Sequence, residues 1–235
     1  MDGFQPQAEA RPAINWFHSH AFPDGETTRG EKPIEVLRRE AEAVFRHGVA
    51  GKSVLDIGAW DGWFSFEAER RGAARVLATD HYCWSGEGWG SKAGFDHAHA
   101  RYGSRVESRD MDVQQISPAA TGVFDTVLLL GVLYHLKDPL AGLERAASVT
   151  GEVLVIETVT AFDPFPWKMM RYFEAAEFNG DATNHWAPNR RCLAAMLRDL
   201  GFSRVETVRN PNIRPHWRTP DLYWKHSRVV THAWR

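Results

Sequence analysis

Little in this 235-residue chain points to export, a membrane or a polyanion. It has two cysteines, Cys83 and Cys192, in no CxxC pair. Two give no disulfide framework, and that fits a cytoplasmic, reducing location. Residues 1–12 are polar, without the apolar core of a secretory signal, and read as disordered. No run of about 18 apolar residues exists, so no membrane span is expected. The formal net charge is −2, so no overall field steers the molecule toward nucleic acid. The richest basic stretch, Arg204 to Arg218 with Arg209, Arg214 and His216, is thin and lies near acids. Eleven histidines invite a metal reading that their spacing does not support. His97 and His99 are two apart in a predicted helix and face different ways. His216, His226 and His232 are scattered without ligand spacing. Internal repeats and low-complexity tracts are lacking too.

What is present is an ordinary globular balance, 43% hydrophobic and 25% charged, enough for one domain over residues 13–235. Pro33 opens a helix with Ile34, Leu37, Ala41, Val44 and Phe45 on one face, and Gly48 is a plausible stop. Strands and helices then alternate. Strands are expected at 52–57, 75–79, 106–111, 124–130 and 152–157, with helices over 63–71, 94–102 and from Asp138-Pro139 to Val149. Asp138 is a good N-cap and Pro139 a good first-turn residue. A helix over 189–200 precedes two last strands, 203–209 and 228–234, read as a hairpin at the sheet edge. Near-continuous apolar strands alternating with helices mean an α/β fold: a Rossmann-like, seven-stranded, mostly parallel sheet with helices on both faces. Residues 158–188 break the rhythm. They hold Phe162, Phe165, Trp167, Tyr172, Phe173, Phe178 and Trp186, and are too long for a simple connection. With residues 13–24 they are expected to form an aromatic lid over a second substrate. Trp60, Trp84, Trp89, Trp186 and Trp217 fall in loop-like stretches, either as pocket walls or as loop packing.

The chemistry starts at the end of the first strand, Asp56-Ile57-Gly58-Ala59-Trp60-Asp61-Gly62. Glycines at such a turn let the backbone approach a ligand outside the strand's carboxyl end. A dinucleotide site prefers G-x-G-x-x-G, and here Asp56 stands where the first glycine would be. A carboxylate repels a pyrophosphate and attracts a cationic, phosphate-free cofactor. That favours S-adenosylmethionine, with its sulfonium and amino group, over NAD. Asp80 ends the next strand, roughly 20 residues on, where an acid suits the two ribose hydroxyls. After the third strand Asp112, beside Val113, is expected to accept from the adenine amino group.

The motifs VLDIGAWDGWFSFEAERRGA, FDTVLLLGVLYHLKDPL and EVLVIET resemble the class I S-adenosylmethionine-dependent methyltransferases. More narrowly, they are similar to the branch that holds the tRNA wobble-uridine carboxymethyltransferase and its shorter relatives. Gly131 to His135 with Asp138-Pro139-Leu140, and Pro188 to Val205 with Gly201-Phe202, carry the narrower likeness. The resemblance implies a sheet with a reversed last strand and a cofactor across the ends of strands one to four. Trp60, Gly131 and Tyr134 would then join Asp56, Gly58, Gly62, Asp80, Asp112 and Val113 in holding it. In the tRNA enzyme a carboxylated cofactor is held by a tyrosine matching Tyr134 and an arginine matching Arg228. Its lysine has no counterpart, the nearest position being His18, and its long N-terminal helical extension is also missing. The shorter relatives look like tailoring enzymes for small molecules.

Methyl transfer needs positioning above all, and a base only where the acceptor must lose a proton. His135, Tyr134 and His18 are the candidates for that work. Trp16, His20, His185, Trp186 and Arg228 are candidates for holding the acceptor. Three functions stay open: O-methylation of a small molecule, modification of a tRNA wobble uridine, and a non-catalytic cofactor-binding module.

Overall fold

A computed structural model of the chain describes residues 14–88, 91–212 and 226–235. The expectations for residues 1–12, Trp89, Arg214, His216 and Trp217 lie outside them. The helices are α1 (Ile34–Val44), α2 (Trp63–Arg70), α3 (Ala93–Tyr102), α4 (Pro118–Thr121), α5 (Pro139–Ser148) and α6 (Arg190–Asp199). The strands are β1 (Ser53–Ile57), β2 (Arg75–Asp80), β3 (Glu107–Asp110), β4 (Phe124–Leu130) and β5 (Thr150–Thr160), then β6 (Met170–Tyr172), β7 (Trp186–Pro188), β8 (Arg204–Arg209) and β9 (Ser227–Trp234).

Seven strands form one sheet in the order β3-β2-β1-β4-β5-β9-β8. β1 to β5 pair in parallel, and β9 is antiparallel to both β5 and β8. The two last strands do pair as a hairpin, but β9 lies inside the sheet and only β8 is at the edge. The reason is reach: β5 runs on to Thr160, and β9 pairs along it from Val153 to Thr160.

Each face of the sheet buries its own side-chain layer. Val54, Ala78, Leu128 and Val155 pack under α1, α2 and α3 through Leu37, Phe64 and Phe95. Leu55, Ile57, Leu129 and Ile156 pack under α5 and α6 through Leu143, Leu193 and Leu197. Burial on both faces is why these strands read as unbroken apolar runs. Helix starts follow their caps. Asp138 accepts from the Ala141 N–H at 3.0 Å and Asn189 from the Cys192 N–H at 2.8 Å. Among the described residues no helix is long and apolar enough to cross a membrane.

The insertion after β5 is an ordered ribbon. β6 and β7 pair Met170 with Pro188 and Tyr172 with Trp186. Phe173 and Ala187 bury with Tyr134, Val159 and Ala161 in a third small core. Asn189 ties the ribbon to α6 by donating to Trp167 O at 2.7 Å while its Oδ1 caps the helix.

Candidate active site

β1 delivers Asp56 to the turn that follows it. Gly58 and Gly62 there have φ of 79° and 82°, where a side chain is strained. Space forbids one too: a Cβ on Gly58 would lie 2.4 Å from Val132 Cγ2, and one on Gly62 2.6 Å from the Phe95 ring. The turns after β1 and β4 therefore meet closely at the carboxyl edge of the sheet. Asp80 braces the first turn. Its Oδ2 accepts from the Trp60 N–H and its Oδ1 from the Cys83 N–H, both at 2.9 Å. Each oxygen keeps a lone pair for a ribose hydroxyl. Burial pushes the Asp80 carboxyl up.

Asp56 is 2% exposed. Ser65 on α2 donates to its Oδ2 at 2.6 Å, and among the described residues Oδ1 takes no donor. Burial pushes its pKa up to about 6; the Ser65 bond opposes this and Asp80 adds to it. A buried carboxylate with an unfilled acceptor fits a cation and does not fit a pyrophosphate. Past β3, half-buried Asp112 caps a single 3-10 turn that contains Val113. Its Oδ1 accepts from the Gln114 N–H at 2.8 Å, and Gln115 returns a bond to the Asp112 N–H at 2.9 Å. The Met111 N–H donates to Asp80 O at 3.1 Å, which sets this turn beside the end of β2.

After β4, Gly131 leads into a second 3-10 turn, Leu133–His135. The Tyr134 hydroxyl lies near Gly131 and accepts from Arg228 Nη2 at 3.0 Å. The Arg228 guanidinium forks onto Glu157, from Nε and from Nη2, at 2.7 Å each. Glu157 is 1% exposed. Burial would raise its carboxyl, but Arg228 beside it holds it below the usual range. Asn210 donates to both Glu157 and Glu40 at 3.3 Å, and Glu40 pairs with Lys32. The buried charges here are matched one for one.

His135 is half-buried, its ring 4.3 Å from that of Tyr134. Burial lowers its pKa, which favours the neutral imidazole. Its Nδ1 lies 2.9 Å from Thr183 Oγ1 and 3.2 Å from Thr183 O. The ribbon carries His185 and Trp186 to the same place. The His185 N–H donates to Tyr134 O at 2.8 Å, and Trp186 Nε1 donates to Lys137 O at 3.3 Å.

The N-terminal segment is bolted to the body. Asp61 accepts from the backbone N–H of Phe17 and His18, at 3.0 and 2.8 Å, and pairs with His18 Nδ1. Burial works against ionised Asp61, yet His18 and His20 outweigh it and hold its pKa down. Burial keeps the pKa of His18 below its ordinary value. His20 is fully buried, with Nδ1 3.2 Å from the Tyr102 hydroxyl. Trp16 packs on His20 and His97, and Phe17 stacks on Trp60 at 4.1 Å. Trp84, buried, donates to Trp60 O at 2.6 Å.

The predicted cofactor residues thus gather along the carboxyl ends of β1 to β4, with Tyr134, His135, His185, Trp186 and Arg228 beside them. His18 reaches the same edge through Asp61. His20 and Trp16 lie apart, packed toward α3. Of the two segments expected to form a lid, the ribbon docks on the Leu133–His135 turn, and residues 16–22 pack on α2, α3 and the turn after β1. Among the described residues no cluster of three or more His, Cys, Asp or Glu could hold a metal.

A family model described as a methyltransferase domain matches residues 29–207. The chain belongs to that family. The methyltransferase domain is 28% identical over 170 residues to the tRNA U34 carboxymethyltransferase of Alteromonas mediterranea, covering 67% of this chain and 47% of that protein. It is 30% identical over 178 residues to the namesake from Dichelobacter nodosus, covering 72% and 53%. The chain spans about half the length of these curated relatives. Among solved structures, the N-terminal domain of EvdMO1 in the presence of SAH and D-fucose superposes with a TM-score of 0.67 at 22% identity, covering 94% of this chain and 91% of that one. The 1,6-didemethyltoxoflavin-N1-methyltransferase of Burkholderia thailandensis follows at 0.58 and 20%, covering 85% and 78%. These likenesses establish the class I methyltransferase fold.

Sequence reasoning missed four groups that organise the methyltransferase site: Asp61, Glu157, Thr183 and Asp181. Asp61 carried a signal, being an acid set among aromatics in Trp60-Asp61-Gly62-Trp63. Glu157 read as the polar end of an apolar strand. Thr183 and Asp181 lay in a stretch without a period.

Proposed function

We propose that the chain is an S-adenosylmethionine-dependent methyltransferase for a small-molecule acceptor, with oxygen as the atom methylated. The observation that carries the cofactor is Asp56, a buried carboxylate with an unfilled acceptor beside two left-handed glycines. The cofactor supplies a methyl group already activated by the sulfonium. Asp80 would hold the ribose, and Asp112 with Val113 the adenine. The small acceptor rests on charge: the formal net charge is −2, so no overall field draws the molecule to a phosphate backbone. Structures of the fold solved in the presence of D-fucose or with bound 1,6-didemethyltoxoflavin are compatible with it.

A second reading follows from the curated relatives: a carboxylated cofactor and a tRNA uridine. By their resemblance to that enzyme's residues, Tyr134 and Arg228 would hold the carboxylate of such a cofactor. Against it, the Arg228 charge is already matched by Glu157.

Calorimetry tests the first reading. Adenosylhomocysteine is expected to bind at roughly micromolar strength, about −8 kcal/mol. Asp80→Ala is expected to weaken it by about 1–3 kcal/mol. Wild-type protein that binds no adenosylhomocysteine overturns the proposal. A carboxylated cofactor that outcompetes the ordinary one a hundredfold, or label passing from it into tRNA, favours the second reading.

A further inference from the structure

The insertion after β5 holds a chain of three side chains that the cofactor does not need. Asp181 Oδ1 accepts from the Thr183 N–H at 2.8 Å and from the Thr183 hydroxyl at 2.7 Å. The same hydroxyl oxygen lies 2.9 Å from His135 Nδ1. We propose that Asp181 and Thr183 are positioning residues that lock His135 as the Nδ1–H tautomer, so that its Nε2 lone pair takes the proton of an alcohol acceptor. The inference deepens the small-molecule reading above and rests on it.

Proton counting forces the tautomer. An ionised carboxylate only accepts hydrogen bonds, and a hydroxyl has one proton to give. Burial would raise the Asp181 carboxyl, but the Thr183 bonds and the nearby His135 and His185 outweigh it and hold it low. Asp181 is therefore ionised at neutral pH and takes the Thr183 proton. Toward His135 the Thr183 oxygen is left only to accept. The second neighbour of Nδ1, Thr183 O at 3.2 Å, is a carbonyl and also only accepts. Two acceptors on one nitrogen place the hydrogen there. In a neutral imidazole the other nitrogen then carries the lone pair. Among the described residues Nε2 has no hydrogen-bond partner, so nothing in the protein uses that lone pair.

The arrangement answers a requirement of the chemistry. A neutral alcohol that takes a methyl on its oxygen must lose a proton. The O–H bond breaks toward Nε2, the O–CH3 bond forms, and the S–CH3 bond breaks to leave a neutral thioether. The balance closes with an imidazolium whose Nδ1–H still points at Thr183 and, through it, at the Asp181 charge. An imidazole held in the wrong tautomer loses about 10⁴ in rate where that has been tested. The charged and titratable groups facing His135 are Asp181, which favours the imidazolium, and Arg228 and His185, which oppose it. Tyr134 packs on the ring.

Nitrogen NMR reads the tautomer without acceptor or cofactor. The sample is the full chain labelled with ¹⁵N-histidine, with His135 assigned by its loss in His135→Gln. At pH 7.5 the wild type is expected to show a protonated Nδ1 and an unprotonated Nε2. Thr183→Val removes one acceptor and is expected to mix the tautomers and lower the His135 pKa, while Thr183→Ser restores both. A wild-type spectrum with the proton on Nε2 overturns the proposal, whatever the variants do. So does an unchanged tautomer and pKa in folded Thr183→Val. Failure of the methyltransferase reading is separate: it would appear as no adenosylhomocysteine binding by a protein whose His135 tautomer is as stated.

Discussion

Replacing Asp56 by asparagine separates what this acid costs the fold from what it gives the ligand. The carboxyl is buried and bonded by Ser65 alone among the described residues, and burial pushes its pKa from the usual value of 3.8 up to about 6. Between those values the folded protein holds a proton that the unfolded chain has lost. Stability therefore falls as pH rises through this window. At about 1.4 kcal/mol per pKa unit the ionised group costs about 3 kcal/mol at pH 7. Asparagine has nearly the same shape, and its carbonyl oxygen still accepts from Ser65. Asp56→Asn is expected to be more stable than wild type by about 2–3 kcal/mol at pH 7.5, with the gain vanishing near pH 4. Binding moves the other way. A unit cation near 4 Å from a carboxylate gains about 4 kcal/mol at an effective dielectric constant of 20, so the variant is expected to lose about 2–4 kcal/mol of S-adenosylmethionine affinity. Because the bound cation favours the ionised acid, wild-type binding at pH 6 should release a proton, and affinity should rise from pH 5 to 7. Urea denaturation at several pH values gives the first half. Calorimetry in buffers of different ionisation heat gives the second. Full affinity in Asp56→Asn, or a stability gain that ignores pH, would refute the assignment of Asp56 as the cation's partner.

Three further outcomes follow from the geometry. Asp61→Ala strips the partner from two backbone N–H groups and from His18, and is expected to cost about 3–5 kcal/mol in chemical denaturation; a loss below 1 kcal/mol would mean the segment 16–22 is not held there. Deleting residues 1–24 should lower the melting temperature as well as turnover, because it uncovers Phe64, Phe66 and Tyr102; an unchanged melting temperature would return the segment to the role of a free lid. Arg228→Met leaves Glu157 buried and uncompensated and should cost about 3–5 kcal/mol, whereas adding Glu157→Gln should recover most of it; additive losses in the double-mutant cycle would deny the pair.

The large elements were legible because each answers to local rules. Strands buried on both faces show as apolar runs, and Asp138-Pro139 announces α5 by cap chemistry alone. The turn from Asp56 to Gly62 was legible for the same reason: left-handed backbone and close approach leave few residue choices. What stayed hidden is long-range. The ribbon strands β6 and β7 are three residues each, too short for any period to register. His18 meets Asp61, and Tyr134 meets Arg228, across stretches of chain that no spacing rule spans. β5 outran its expected end because Thr158 and Thr160 are fully buried beside β9, a partner that appears only once the sheet is assembled. Thr183 drew no notice because its role depends on which of its neighbours can give a proton.

The interior position of β9 has a consequence for how the protein is made. During synthesis β5 emerges after β4, its partner on one flank, while the flank from Val153 to Thr160 still lacks its own. The strand that covers that flank begins only at Ser227. At roughly 5–20 residues per second, an apolar edge of eight paired positions stays open for about 3–13 seconds. β8 is finished earlier but cannot help, since in the sheet it touches β9 alone. An unpaired strand edge is a template for another nascent chain. Crowded ribosomes and slow codons between residues 161 and 226 should therefore raise the aggregated fraction, and a chaperone that shields strand edges should matter most in that interval.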